Sequence, residues 1–444
     1  MAGTYWTRPD CEGDMTTQLL EQGRYGTVRR TVLPSGLRVI TEEVPGVRSA
    51  SVGIYADVGS RDETPELAGA SHFLEHVLFK GTKRRSALQI SAEVEAVGGD
   101  SNAYTSKEHT CFHTQVLGRD LPLAVDVLCD MITCSVLDER EFDIERGVIF
   151  EEIAAGEDEP ADIAAELFDE AALGKHPLAQ PILGTNDSIA TMTRDAVFGF
   201  YQSHYVPQRL VVAAAGSLEH DTFVQLVDEG FAFGELNMVA GQKTLRDRRQ
   251  LAPSRPAADC TVQRIKDTEQ AHLTLGVLGV ARHDERRYAV SVLSQILGGG
   301  MSSRLFQEVR ERRGLAYAVS AFVNCYDDIG FLGIYAGCSP TKLAELTDVV
   351  MAELELAARS GVSVSELARA KGMISGATVL DTEDTASRMS RIGYRELYFS
   401  DYSSVDDYLD KVAAVTLDDV AHVAEQLLVE PYIVGLVGPA TLKG

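Results

Sequence analysis

The chain has 444 residues, 45% of them hydrophobic and 24% charged, an ordinary globular balance with room for two or three domains. A formal net charge of −25 argues against a nucleic-acid partner, and no apolar run reaches the ~18 residues that a membrane helix needs. Residues 1–23 carry Asp10, Glu12, Asp14 and Glu21 and no apolar segment, so neither a secretory signal nor a basic presequence is expected. The seven cysteines are scattered, odd in number and without a C-x-x-C, which predicts reduced thiols and a cytoplasmic protein.

Along the chain, strand patterns are predicted over 31–33, 37–42 and 51–58, then helices over 68–79 and 88–97, the second closing at Gly98-Gly99. Residues 104–117 alternate like a strand pair. Residues 121–133, 139–155 and 194–205 read as helices, and 210–215 as an apolar strand ending at Gly216. The order then repeats. A strand over 271–280 precedes a helix over 285–297, which closes at Gly298-Gly299-Gly300, and 303–312 is helical. A strand pair over 317–323 and 331–338 follows, then helices over 341–359, 365–380 and 418–427 and a strand over 432–436 before Gly438. The expected organisation is an extension at 1–27, one α+β domain at 28–233, a Gly- and Pro-containing linker at 234–258 and a homologous domain at 259–444.

Residues His72-Phe73-Leu74-Glu75-His76 lie inside the helical stretch 68–79. At i, i+3 and i+4 the two imidazoles and the carboxylate share one helix face. Neutral imidazoles are the commonest protein ligands for zinc, and a carboxylate beside them can take a proton from water on the metal. The H-x-x-E-H order is the signature of the inverzincins.

A catalytic zinc needs a third protein ligand. The acidic helix over 139–155 offers Glu139, Glu141, Glu145, Glu151 and Glu152. Glu145 and Glu152 are two turns apart on one face, and a buried carboxylate pair is costly unless a cation sits between the two groups. One carboxylate would then ligate and the other orient a histidine.

The segment H-F-L-E-H-V-L-F-K-G-T from His72 to Thr82 strongly resembles the pitrilysin/insulinase family of zinc peptidases, closest to the branch of the mitochondrial processing peptidase β subunit and its bacterial relatives. The likeness extends over about 28–440. It includes Gly98-Gly99, Asn102-Ala103-Tyr104-Thr105, the run Glu145–Glu152, His176-Pro177-Leu178, Gly184-Thr185 and the segment 298–317. The resemblance implies two homologous α/β-sandwich domains, each a mostly antiparallel sheet packed with helices, together half of a clam-shell chamber. It implies Glu152 as third ligand to one Zn2+ per chain, beside His72 and His76. Glu145 would be the auxiliary carboxylate behind a ligand. Glu75 would be the general base toward a zinc-bound water in an endopeptidase.

In the same resemblance, Arg310 and Tyr317, seven apart, reach an active site from another domain, Arg to hold peptide carbonyls and the phenol to stabilise an oxyanion. Arg304, Arg312 and Arg313 compete for the first role. The glycine triplet Gly298–Gly300 lacks the Lys-Ser/Thr of a phosphate loop. Asn102 and Ala103 would lie on an edge strand that takes up extended peptide by main-chain pairing. Phe79 is a candidate pocket wall, while His109 and His113 read as structural. Two chains would complete one chamber, giving a homodimer whose site is finished in trans by Arg310 and Tyr317. The alternative is a non-catalytic or partner-dependent subunit of a heterodimeric peptidase.

Overall fold

The computed structural model describes residues 15–232, 260–429, 431–439 and 441, so the predicted linker and the first part of the extension lie outside the described residues. The chain divides into two units. Unit 1 comprises residues 1–153, 180–243 and 381–404; unit 2 comprises 154–179, 244–380 and 405–444.

Unit 1 holds β1 (Thr16–Gln22), β2 (Thr27–Val32), β3 (Arg38–Glu43), β4 (Ser49–Ala56), β5 (Asp100–Thr105), β6 (Thr110–Leu117) and β7 (Leu210–Gly216), in the order β1-β2-β3-β7-β4-β6-β5. Every pairing is antiparallel except β3 with β7. Unit 2 holds β8 (Thr261–Ile265), β9 (Ala271–Leu278), β10 (Ala316–Cys325), β11 (Gly330–Cys338) and β12 (Ile433–Gly438), in the order β10-β11-β9-β12-β8. Here β12 with β8 is the parallel pair. Reading the first sheet from its other edge gives β5-β6-β4-β7-β3, so the two sheets share strand order and the position of the parallel pair. The repeat predicted from element order is therefore a repeat of topology, and the fold is α+β.

The central strands of each sheet are buried on both faces, which explains why β7 is an unbroken apolar run. Leu210, Val212 and Ala214 enter the core formed with Phe73, Leu74, Leu128 and Phe142. The alternate residues Val211, Ala213 and Ala215 pack with Met389, Ile392 and Leu397. The second layer comes from the helix Thr385–Tyr398, encoded in the second half of the chain. Unit 2 mirrors this exchange: the helix Pro160–Leu173 packs Ile163, Ala164 and Leu167 against Val437, and Phe168 against Phe331 and Ile433. Gly435 permits the close approach, because a Cβ there would stand 2.3 Å from Ala164 O and 2.4 Å from Phe168 N.

Neither crossing helix is predicted from periodicity. The buried side of Thr385–Tyr398 is partly ionic, with Arg388 paired to Glu42 and Glu396 facing Arg30 and Arg38 at 3.4 and 3.5 Å. Strand β1 falls inside the segment read as an extension. Its side chains are largely exposed and main-chain pairing to β2 holds it, so no apolar alternation marks it. Residues 306–312 are helical as expected but adopt π rather than α geometry.

Candidate metal centre

The helix Ala70–Leu78 carries the motif. Phe73, Leu74, Val77 and Leu78 are buried in the core, which turns His72, Glu75 and His76 to the opposite side. Its N-terminus is fixed by Glu63, whose carboxylate accepts from Gly69 N and Ser71 N, each at 2.7 Å. Burial pushes the Glu63 carboxyl up to about 8, against the pull of those two N–H groups. Gly69 begins the helix at φ 95°, and a Cβ there would also meet Leu183 O at 2.7 Å.

The helix Glu139–Glu157 supplies the remaining carboxylates. Phe142 stacks on Phe73 with ring centroids 4.1 Å apart, locking the two helices together. Arg146 lies over Phe142 at 5.1 Å and donates to the carbonyls of Ile189 and Met192. So held, Glu145 and Glu152 both face the motif helix.

Ligand atoms of His72, His76 and Glu152 all lie within 4.8 Å of one another. Glu152 Oε2 is 3.6 Å from His72 Nε2 and 3.5 Å from His76 Nε2. Ligands at zinc bond lengths on a tetrahedron stand roughly 3.4 Å apart, so the cluster fits that ion closely. Glu152 Oε2 is buried with no hydrogen-bond partner, an orphaned acceptor that a cation would satisfy. Burial, then the neighbouring His76, pushes the His72 imidazole down to about 4, so it is neutral and able to ligate at physiological pH. Behind the cluster, Glu145 Oε2 stands 3.0 Å from His76 Nδ1, the arrangement that fixes a ligating imidazole with Nε2 forward.

Glu75 is half-buried on the same face, and burial raises its carboxyl above the usual range. Thr105 Oγ1 donates to Glu75 Oε2 at 2.5 Å. Thr105 ends β5, which forms the sheet edge. Asn102 on that strand is exposed, and its Oδ1 accepts from Ala103 N; Ala103 is half-buried against the core. Phe79 packs toward Phe112 with centroids 6.1 Å apart, a partly buried place at the edge of the core.

In unit 2, Arg310 and Tyr317 come together as a pair. The guanidinium lies 4.6 Å over the Tyr317 ring and 4.8 Å over that of Phe306, and Nη1 donates to Tyr317 O at 3.1 Å. Tyr317 is 76% exposed. The competing arginines are otherwise engaged: Arg304 in a two-pronged pair with Glu366, Arg312 and Arg313 with Glu308.

Sequence reasoning singled out neither Thr105, Glu63 nor Lys80. The last lies 2.8 Å from Glu145 Oε1. Thr105 shares a strand face with Ala103, a signal that was available; Lys80 lies past the end of the motif helix, where helical spacing gives none. His109 is structural, bonded to Tyr398 Oη at 2.7 Å.

Two imidazoles and a carboxylate converge beside a half-buried carboxylate, a group able to hold a metal ion. A family model described as "Insulinase (Peptidase family M16)" matches residues 38–186, and one described as "Peptidase M16 inactive domain" matches residues 191–374. An "Uncharacterized zinc protease" of Streptomyces coelicolor is 49% identical over 95% of this chain and 92% of its own. One of Bacillus subtilis is 38% identical over 93% and 98%. Among solved structures, a protease from Helicobacter pylori superposes with a TM-score of 0.86 at 23% identity, over 95% of this chain and all of that one. The peptidase M16 inactive domain from Pseudomonas fluorescens gives 0.84 at 19%, over 96% and 98%. The chain belongs to the insulinase family of peptidases, M16.

Among the described residues no helix is long and apolar enough to cross a membrane, and no disulfide joins the described cysteines.

Proposed function

We propose that the chain is a zinc-dependent endopeptidase for extended or unfolded peptides, with His72, His76 and Glu152 holding one zinc ion. The observation that carries this reading is the convergence of those three ligand atoms around the orphaned Glu152 Oε2, with Glu75 on the same face. When bound, zinc supplies Lewis acidity toward a carbonyl oxygen and lowers the pKa of water. Glu75, with Oε2 held by Thr105, accepts the proton of the attacking water and returns it to the leaving amine. The outer edge of β5 pairs with the main chain of the peptide through Asn102 and Ala103, a mode largely indifferent to side-chain identity. Phe79 borders the substrate side chains.

The active form is a homodimer of cytoplasmic chains, each domain pair supplying half of a chamber, and Arg310 and Tyr317 of one copy serve the site of the other. Their pairing on an exposed surface supports this role.

Subunit complementation tests the reading. The Glu75→Gln chain is expected not to cleave a quenched-fluorescent peptide library and the Tyr317→Phe chain to cleave it weakly. Mixed and re-associated, they regain up to about half of one site per dimer. Failure to regain cleavage, with exchange of chains verified, contradicts completion in trans. A parent chain that cleaves nothing alone and cleaves once a second, different chain is added points instead to a partner-dependent subunit.

A further inference from the structure

Glu145 has a side chain only 4% exposed, and both its oxygens are engaged. Oε2 meets His76 Nδ1 at 3.0 Å, and Oε1 meets Lys80 Nζ at 2.8 Å. His76 lies in the last turn of the helix Ala70–Leu78 and Lys80 just past its end, and the two side chains meet the same carboxylate. The lysine leaves from a pinned turn. Its own N–H bonds to Val77 O at 3.1 Å. Gly81 then turns the chain at φ 128°, and Thr82 bonds Asp130 Oδ2 at 2.7 Å. The ammonium keeps contact with water, its side chain being 32% exposed, while the carboxylate has almost none. A buried carboxylate without a cation is costly, and one held at a single oxygen has more freedom to reorient than one held at both.

We propose that Lys80 is a positioning residue for the metal centre. By holding Glu145 Oε1 it fixes Oε2 as the acceptor of the His76 Nδ1 proton, and so directs His76 Nε2 at the ion without touching it. The inference rests on the zinc reading above. Partners behind a ligating histidine typically carry about 10–100-fold in metal affinity.

Zinc affinity of the full chain, measured by competition with a chromophoric chelator, tests this without any turnover. K80M is expected to weaken zinc by about 10-fold and K80R to stay within about threefold of the parent. In an E145Q background, K80M is expected to add no further loss, since its route runs through Glu145. That double variant also removes the buried charge that K80M alone would strand, so it reports even if K80M folds poorly. A K80M chain that binds zinc as tightly as the parent overturns the inference. So does an equal loss from K80M with and without E145Q. A parent that takes up no zinc overturns the zinc reading, and this inference with it.

Discussion

Thr105 Oγ1 donates a 2.5 Å hydrogen bond to Glu75 Oε2, linking the last residue of the edge strand to the carboxylate of the motif helix. In the proposed reading the same strand docks the peptide, so one element would both present the substrate and orient the base. Thr105→Val keeps the shape and removes the donor. It is expected to lower kcat about 10-fold with little change in KM, a fraction of the ~10²–10⁴ that a general base contributes. Thr105→Ser is expected to restore most of kcat. Steady-state kinetics on one cleaved peptide read both variants.

Glu152→Gln leaves a neutral oxygen where two imidazoles meet a carboxylate at 3.5 and 3.6 Å. Losing a ligand is expected to weaken zinc by at least the ~10–100-fold that partners behind a ligand carry. Chelator competition reads the loss, and unchanged affinity would remove Glu152 from the ligand set.

Acid sensitivity has a specific contributor in unit 2. Arg304 holds the Glu366 carboxyl down at about 2, with Ser363 donating as well. A depressed folded pKa gives stability that is complete above the ordinary value of 4.5 and lost as pH falls through it toward 2. The difference in urea midpoint between parent and Glu366→Gln should therefore shrink as pH is taken from 6 to about 3. A constant difference would contradict the assignment.

Gly435→Ala forces a methyl within 2.3 Å of Ala164 O on the helix Pro160–Leu173. Backbone meets backbone there, so relief requires moving the helix, and overpacking of this kind costs about 1–3 kcal/mol. Thermal unfolding should show a lower midpoint. An unchanged midpoint would mean that the helix can shift without loss.

The part of the site legible in the sequence is the part encoded by short helical spacing. His72, Glu75 and His76 share a face because they sit at i, i+3 and i+4, and Glu145 and Glu152 because they are two turns apart. Choosing Glu152 among its acidic neighbours needed the family resemblance, since Glu151 differs by one residue and its own outward direction depends on packing. Thr105 and Lys80 act through partners 30 and 65 positions away in sequence, so spacing near each residue does not show what it pairs with. The same limit hid the exchange of Pro160–Leu173 and Thr385–Tyr398 between the units. The second of these buries Arg388 and Glu396 by ion pairing, so its inner face does not read as apolar. The sheets were easier, because β7 and β12 are apolar throughout and only a doubly covered strand accommodates that.

Zinc content and peptide cleavage, measured on the purified parent beside Glu75→Gln, test the central claim most directly. The account predicts about one zinc per chain in both proteins and cleavage only in the parent, since Glu75 moves a proton and does not ligate. Cleavage by Glu75→Gln at the parental rate, or a parent that cleaves without bound metal, would contradict it.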